Sequence, residues 1–251
     1  MKKAVFLDVD GTLLPEGNGK SVLESTKEAI KLLQAQDIGA VLCTGRHPTE
    51  LVTLGLLDVL YDGFVLLNGQ LVLDRNMKKL YSHPITGIDK KEIVTMFENR
   101  DIPVVIVEEK RLYLNFINEN VIQAQADVNS GVHAVGEYNG ADILMSTVYA
   151  DENVSFSNLR TGRWHKWAVD VYPPTGGKAN GIREFIKRYG VERKDVIVFG
   201  DAQNDIEMIK YAGVGIAMGN AYPETKKAAD FITDDCEHDG IWNGLKKINL
   251  I

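Results

Sequence analysis

Long apolar runs are missing from this 251-residue chain, and cysteine is scarce. No stretch approaches the roughly 18 consecutive apolar residues that a membrane-spanning helix needs, so no membrane partner is expected. The start, Met1-Lys2-Lys3, has the charge of a signal n-region, but the apolar run behind it stops at Asp8, too short for an h-region. The only cysteines are Cys43, ending an apolar run, and Cys236, in a polar stretch. That argues against a disulfide framework and for a reducing compartment, so the expected location is cytoplasmic. Positive charge is also in deficit: the formal net charge is −7 with no long basic run, which removes the electrostatic footprint of a nucleic-acid binder. Internal repeats and low-complexity tracts are lacking. An acidic protein that handles anions needs a metal or a few focused cations to do it.

The composition is otherwise that of an ordinary globular protein, with 45% hydrophobic and 25% charged residues. The length exceeds the usual single domain of about 100–200 residues. Short β-rich runs alternate with helical patterns, which predicts an α/β fold with a parallel sheet and crossover helices. Strands are expected at Ala4–Leu7, Ala40–Cys43, Phe64–Leu67, Val196–Phe199 and Val214–Ala217. Helices are expected around Val22–Leu33, Ile182–Tyr189 with Gly190 as its stop, Ile206–Ala212, and from Pro223 onward. The middle reads differently. Strands at Val104–Val107, Leu112–Phe116, Ile143–Tyr149 and Trp167–Tyr172 come in pairs around a helix at Val121–Val128, the mark of an antiparallel α+β unit. His83-Pro84 and Gly87 on entry, and Pro173-Pro174-Thr175-Gly176-Gly177 on exit, have linker chemistry. The expected organisation is therefore a sheet domain split into residues 1–84 and 173–251, with an inserted domain at 85–172.

The polar residues that follow the strands carry the chemistry. Asp8 follows the first, Thr44 the second, and Gly200-Asp201 the one at Val196–Phe199. In an open parallel sheet ligands bind beyond the carboxyl ends of the strands, so these distant segments are expected to meet at one edge. Asp8 and Asp10 are spaced to share one side of an extended chain, where like charges need a cation or a shared proton. An Asp-Gly turn with a helix cap is the bland alternative. Asn204 or Asp205 could likewise be a simple cap for the helix that follows, yet three oxygen-bearing side chains crowd Asp201–Asp205. Lys178 opens a helix, where anionic residues are favoured, and makes more sense facing a phosphate than facing solvent. The segment is not a P-loop, because Tyr172 stands where that loop needs glycine.

With these residues in view, the sequence resembles the haloacid dehalogenase superfamily of phosphohydrolases, in its Cof-type branch with an inserted type IIB α/β cap. "DVDGT" from Asp8, "TGR" at Thr44–Arg46, Lys178, and "GDAQNDIEM" from Gly200 match the four motifs of that family in order. "GVGIAMGNA" at Gly213–Ala221 is also typical of the branch, and "GGKANGI" is a loose form of the third motif. The resemblance implies a Rossmann-like core with helices on both faces and a cap that selects substrate. It implies that Asp8 is the nucleophile and Asp10 the general acid and base. Thr44, Gly45, Lys178 and Asn204 would serve the phosphate, with Arg46 and Asn68 weaker candidates that could equally serve their turns. Mg²⁺ would be held by Asp8, the Asp10 carbonyl and Asp201, with Asp205 close by or linked through water. The implied partner is a small phosphorylated metabolite, sugar phosphates being typical, and the chain itself is expected to be a monomer or weak homodimer. Alternatives are a phosphomutase or phosphotransferase using the same aspartyl-phosphate, or a silent phospholigand-binding module. In the insert, Arg160–Trp167 reads either as a hairpin with Thr-Gly at its turn and solvated charges, or as a substrate-reading loop.

Overall fold

The structure, a computed structural model, describes residues 1–15, 21–128, 130–151 and 154–251. The chain opens with β1 (Lys3–Leu7), α1 (Glu24–Ala35), β2 (Ile38–Cys43), α2 (Pro48–Thr53), β3 (Gly63–Leu66), β4 (Leu71–Asp74) and β5 (Lys79–Ser82). It continues through α3 (Gly87–Asn99), β6 (Val104–Val107), β7 (Leu112–Leu114), α4 (Glu119–Asp127), β8 (Met145–Val148), β9 (Arg160–His165) and β10 (Ala168–Tyr172). Then come α5 (Lys178–Tyr189), β11 (Val196–Gly200), α6 (Ile206–Tyr211), β12 (Val214–Ala217), α7 (Pro223–Ala228), β13 (Phe231–Ile232) and α8 (Gly240–Lys247). Chain contacts divide it into two units, Met1–Tyr81 with Gly177–Ile251, and Ser82–Gly176.

The first unit is built on an eight-stranded sheet in the order β13-β12-β11-β1-β2-β3-β4-β5. From β13 to β3 every neighbouring pair is parallel, whereas β4 turns back antiparallel on β3. Strands buried on both sides explain why β1, β2 and β11 read as continuous apolar runs instead of alternating ones. Alternate residues then meet different helices. Ala4, Phe6, Val41, Cys43, Val65, Val196 and Val198 pack against Ile182, Phe185 and Ile186 of α5 and Met208 and Ile209 of α6. On the other side α1 lies on β2, and α8 meets both α1 and the Phe199 ring. Phe6 and Phe185 contact edge to face at 5.6 Å, an arrangement that adds about 1 kcal/mol beyond the area it buries. The α5 stop is as predicted: Gly190 adopts φ 67° at the C-cap, with Lys187 and Arg188 in the last turn facing the negative end of the dipole.

The second unit has a five-stranded sheet in the order β7-β6-β8-β10-β9, antiparallel throughout. One of its faces joins Val104, Ile106, Val148, Val169 and Val171 to Ile93 and Phe97 of α3. The expected Thr-Gly turn in Arg160–Trp167 is overturned. Thr161 and Gly162 lie within β9, opposite Val171 and Asp170, and the turn falls at Lys166-Trp167. A turn at Thr161-Gly162 would strip β10 of this partner and leave main-chain groups unpaired. Arg163 is exposed, as expected, and its guanidinium also donates to the carbonyls of Ala150, Asp151, His165 and Lys166 at 2.8–3.3 Å.

No helix among the described residues is long and apolar enough to cross a membrane.

Candidate active site

Parallel pairing of β11, β1 and β2 brings their carboxyl ends side by side, so that Asp8, Thr44 and Asp201, remote in sequence, emerge at one edge. At its centre is Lys178, 1% exposed, on the first turn of α5. Its Nζ donates to Asp8 Oδ1 and to Asp205 Oδ1, both at 2.6 Å. Burial alone would favour the neutral amine, but Asp205 and Asp8 outweigh it and hold the lysine charged, with its pKa above the usual range. The other oxygen of Asp205 accepts the main-chain N–H groups of Asp201 and Ala202, so this residue is both a helix-turn cap and the anchor of the lysine.

One lysine does not balance the carboxylates around it. Asp8, Asp201 and Asp205 are all buried, and one oxygen from each lies within 4.8 Å of the others. Burial, then repulsion from Asp205, push the Asp8 pKa well up, although Lys178 opposes them. Asp201 is pushed up to about 7 by burial and by Asp205, against a 2.8 Å hydrogen bond from the Thr12 hydroxyl. The second oxygens of Asp8 and Asp201 take no hydrogen bond among the described residues, whereas both oxygens of Asp205 are engaged. Hard oxygen donors whose negative charge one lysine does not balance fit a divalent cation.

Glycines allow this crowding. Gly11 has φ +72°, and a Cβ there would come within 2.2 Å of Asp201 Oδ2. A Cβ on Gly200 would reach 2.6 Å from Asp205. The Gly11 carbonyl is fixed by Asn220 Nδ2 at 2.7 Å, and Asn220 is fixed in turn by the Cys236 N–H. Cys236 is thus buried despite its polar neighbours.

Asp10 has a different neighbour from the one its spacing suggests. β1 ends at Leu7, so the alternation of an extended strand stops before Asp8. Asp8 is buried, but the Asp10 side chain is 54% exposed and forms a two-pronged pair with Arg46, Nε to Oδ2 at 3.0 Å and Nη2 to Oδ1 at 2.8 Å. Burial works against the Arg46 charge, yet Asp10 and then Glu50 raise its pKa above the usual range. The crowding expected between Asp8 and Asp10 therefore falls on Asp8, Asp201 and Asp205 instead.

The remaining candidates gather around Asn68, which is buried in the left-handed region at φ 51°. Its N–H donates to the Thr44 carbonyl at 3.1 Å, and its side-chain oxygen accepts Asn204 Nδ2 at 3.1 Å. A Cβ on Gly45 would be 3.2 Å from the Asn68 amide. Thr44 Oγ1 accepts the Arg46 N–H at 3.2 Å. Thr12, Glu50 and Asn220 escaped the sequence reading. Thr12 and Asn220 lie inside quoted motifs but had no neighbour in sequence to betray them; Glu50 has the signature of a capping residue only.

Residues 5–245 match the family model for haloacid dehalogenase-like hydrolases. The chain is 30% identical over 257 residues to YkrA of Bacillus subtilis (strain 168), named as a candidate phosphatase, covering 99% of this chain and 98% of that protein. Among solved structures it is similar to BT1666 of Bacteroides thetaiotaomicron, described among haloacid dehalogenase phosphatases, with TM-score 0.90, 30% identity and coverage of 100% and 96%. It is also similar to BT4131, described as a subclass IIB sugar phosphatase, with TM-score 0.86, 27% identity and full coverage of both chains.

Proposed function

The chain belongs to the haloacid dehalogenase-like hydrolases and is a phosphatase; from that premise we propose that it is an Mg²⁺-dependent hydrolase of a small phosphomonoester, a sugar phosphate or related metabolite. The reading rests on the buried cluster of Asp8, Asp201 and Asp205 around Lys178 at the carboxyl edge of the sheet. Likeness to a sugar phosphatase supports the substrate class.

In this reading a carboxylate oxygen of Asp8 attacks phosphorus. The P–O bond to the leaving group breaks as the aspartyl-phosphate forms. Asp10 meets the leaving group as the carboxylic acid, gives that proton to the departing oxygen and is left as the carboxylate that Arg46 can hold, then takes a proton from the water that hydrolyses the intermediate. Its exposed carboxyl group can meet an incoming phosphoester, which the buried Asp8 neighbours cannot. Lys178, the Thr44 hydroxyl and the Gly45 N–H hold the phosphoryl oxygens as charge develops, and Asn204 supports them through Asn68. Asp8, Asp201 and the Asp10 carbonyl would hold Mg²⁺, with Asp205 close by, and the ion would supply neutralising charge. The inserted unit is assigned the choice of substrate. Within it Trp164, whose Nε1 donates to Asp170 at 3.0 Å, is a better reader than Arg163, whose Nη1 and Nη2 already serve main-chain carbonyls.

The direct test is phosphate release across a panel of phosphorylated metabolites. Release should require Mg²⁺, stop with excess chelator and return on adding the ion, and Mg²⁺ should raise the melting temperature. In Asp201→Ala both the activation and the thermal shift should largely disappear. Full activity in excess chelator would sink the metal assignment; no release from any compound would sink the enzyme reading of this site.

Asp10 has its own signature. A general acid matters most for a poor leaving group, and such catalysis contributes about 10²–10⁴-fold. Asp10→Asn should therefore lose roughly 10²-fold or more on an alkyl phosphate. On 4-nitrophenyl phosphate, whose leaving group needs no proton, it should lose far less. Equal losses on both would leave Asp10 without a role in proton transfer.

A further inference from the structure

We infer that Glu50 is a positioning residue for the reaction: it sets Arg46, and through Arg46 the Asp10 carboxylate, from an anchor in the first turn of α2. This rests on the reading of Asp10 as the proton-transferring group.

The chain of contacts is continuous. Arg46 uses one edge of its guanidinium, Nε and Nη2, for the two oxygens of Asp10. Its remaining nitrogen, Nη1, donates to Glu50 Oε1 at 3.0 Å. Glu50 in turn is held at its other oxygen, Oε2, which accepts the His47 N–H at 2.8 Å and completes the capping box of α2. His47 is fixed at the same place, its Nδ1 accepting the Thr49 N–H at 3.2 Å. The helix N-terminus is thus the fixed end of the chain, and Asp10 the working end.

Each link removes freedom that proton transfer could not tolerate. A free arginine side chain loses rotamer entropy on being ordered. A planar guanidinium pinned at Nη1 presents its opposite edge in a defined direction, so the ordering is done before Asp10 engages. Asp10 needs that help. It lies beyond the end of β1, its side chain is half exposed, and the loop beside it is held by the Gly11 N–H to Leu14 carbonyl bond rather than by a strand partner on each side. Arg46 and Glu50 are only 18% and 22% exposed at their side chains, so their pair is shielded more than an ordinary surface bridge. Glu50 is no part of the four motifs, and capping alone would leave its Oε1 with no need of Arg46.

The test compares Glu50→Ala, Glu50→Gln and Asp10→Asn with the wild type on a hexose phosphate and on 4-nitrophenyl phosphate. Misplacing a catalytic group by an ångström can cost up to about 10²-fold. In Glu50→Ala the kcat ratio of 4-nitrophenyl phosphate to hexose phosphate should rise by roughly tenfold, with KM for both little changed. Glu50→Gln keeps an acceptor for His47 and a neutral one for Arg46, so it should fall between Glu50→Ala and the wild type; it also carries the test if Glu50→Ala fails to fold. A residue that merely capped α2 would lower the melting temperature and leave the ratio alone. An unchanged ratio in both Glu50 variants, with Asp10→Asn still shifting it, would overturn this inference and spare the reading of Asp10. If Asp10→Asn does not shift the ratio either, both fall.

Discussion

Asp8→Asn should lose phosphatase activity by at least about 10⁴-fold, the scale on which removing a covalent nucleophile acts, while the protein stays folded. The two effects have one origin. The oxygen proposed to attack belongs to a carboxylate held in a buried site beside Asp205 and Asp201, and burial and repulsion push its pKa well up. A group whose pKa is raised on folding destabilises the native state once pH lies above its unfolded value, because the ionised form is the disfavoured one. Asparagine has nearly the same volume, keeps an oxygen for Lys178 Nζ, and removes that charge. The melting temperature of the variant at neutral pH and low Mg²⁺ should therefore equal or exceed that of the wild type. Assays of phosphate release and thermal unfolding on the same preparations test both halves. Near wild-type turnover would rule out Asp8 as the nucleophile, and a large drop in melting temperature would mean the crowding of carboxylates is misjudged.

Lys178→Met should do the opposite to stability and much the same to activity. The ammonium is the only cation hydrogen-bonded to this cluster among the described residues, touching Asp8 and Asp205 at 2.6 Å each. Removing one partner of a buried ion pair typically costs about 3–5 kcal/mol, because the charges left behind have neither water nor a counter-ion. Asp8 and Asp201, whose pKa values are raised, can take up protons once the lysine is gone and so limit the loss, and about 3 kcal/mol is expected. Loss of an electrostatic contact to the transferring phosphoryl group should lower kcat by about 10²–10³-fold, on every substrate alike. Urea unfolding at neutral pH measures the first effect and kcat/KM on two unlike phosphoesters the second. Unchanged stability would mean the lysine is not what balances these carboxylates; a loss confined to one substrate would move it from phosphate handling to substrate choice.

The contrast between the two variants depends on neighbours that no stretch of sequence places side by side. Strands were legible where the chain is buried on both faces: Ala4–Leu7, Ala40–Cys43 and Val196–Phe199 are apolar throughout, and each lies within a strand of the parallel sheet. The two edge strands were not. Lys79–Ser82 carries one exposed and three half-buried residues, and Phe231–Ile232 is two residues long, so neither has the periodicity that marks a strand. Helix α8 is short and begins after Asp239 in the left-handed region, with no side-chain cap to announce it. In the second unit, Thr-Gly looked like a turn because composition is all that sequence offers there. Pairing of Thr161 and Gly162 with β10 decided otherwise, since unpaired main-chain groups are worse than a glycine in a strand.

Sequence by itself determined the identity and order of the candidate site residues, the edge of the sheet at which they emerge, and the family. Strand periodicity and the strand-to-loop transitions at Asp8, Thr44 and Asp201 are local properties, and local properties are written in consecutive residues. The tertiary structure alone decided which charge answers which. Asp8 meets Lys178, Asp201 and Asp205, whereas Asp10, two residues away, turns outward to Arg46 and, through it, to Glu50. The physical reason is that a pair of charges is set by distance and burial after the chain has closed. β1 ends one residue before Asp8, the tight turn at Gly11 replaces the strand's alternation, and from there spacing along the chain no longer measures separation in space.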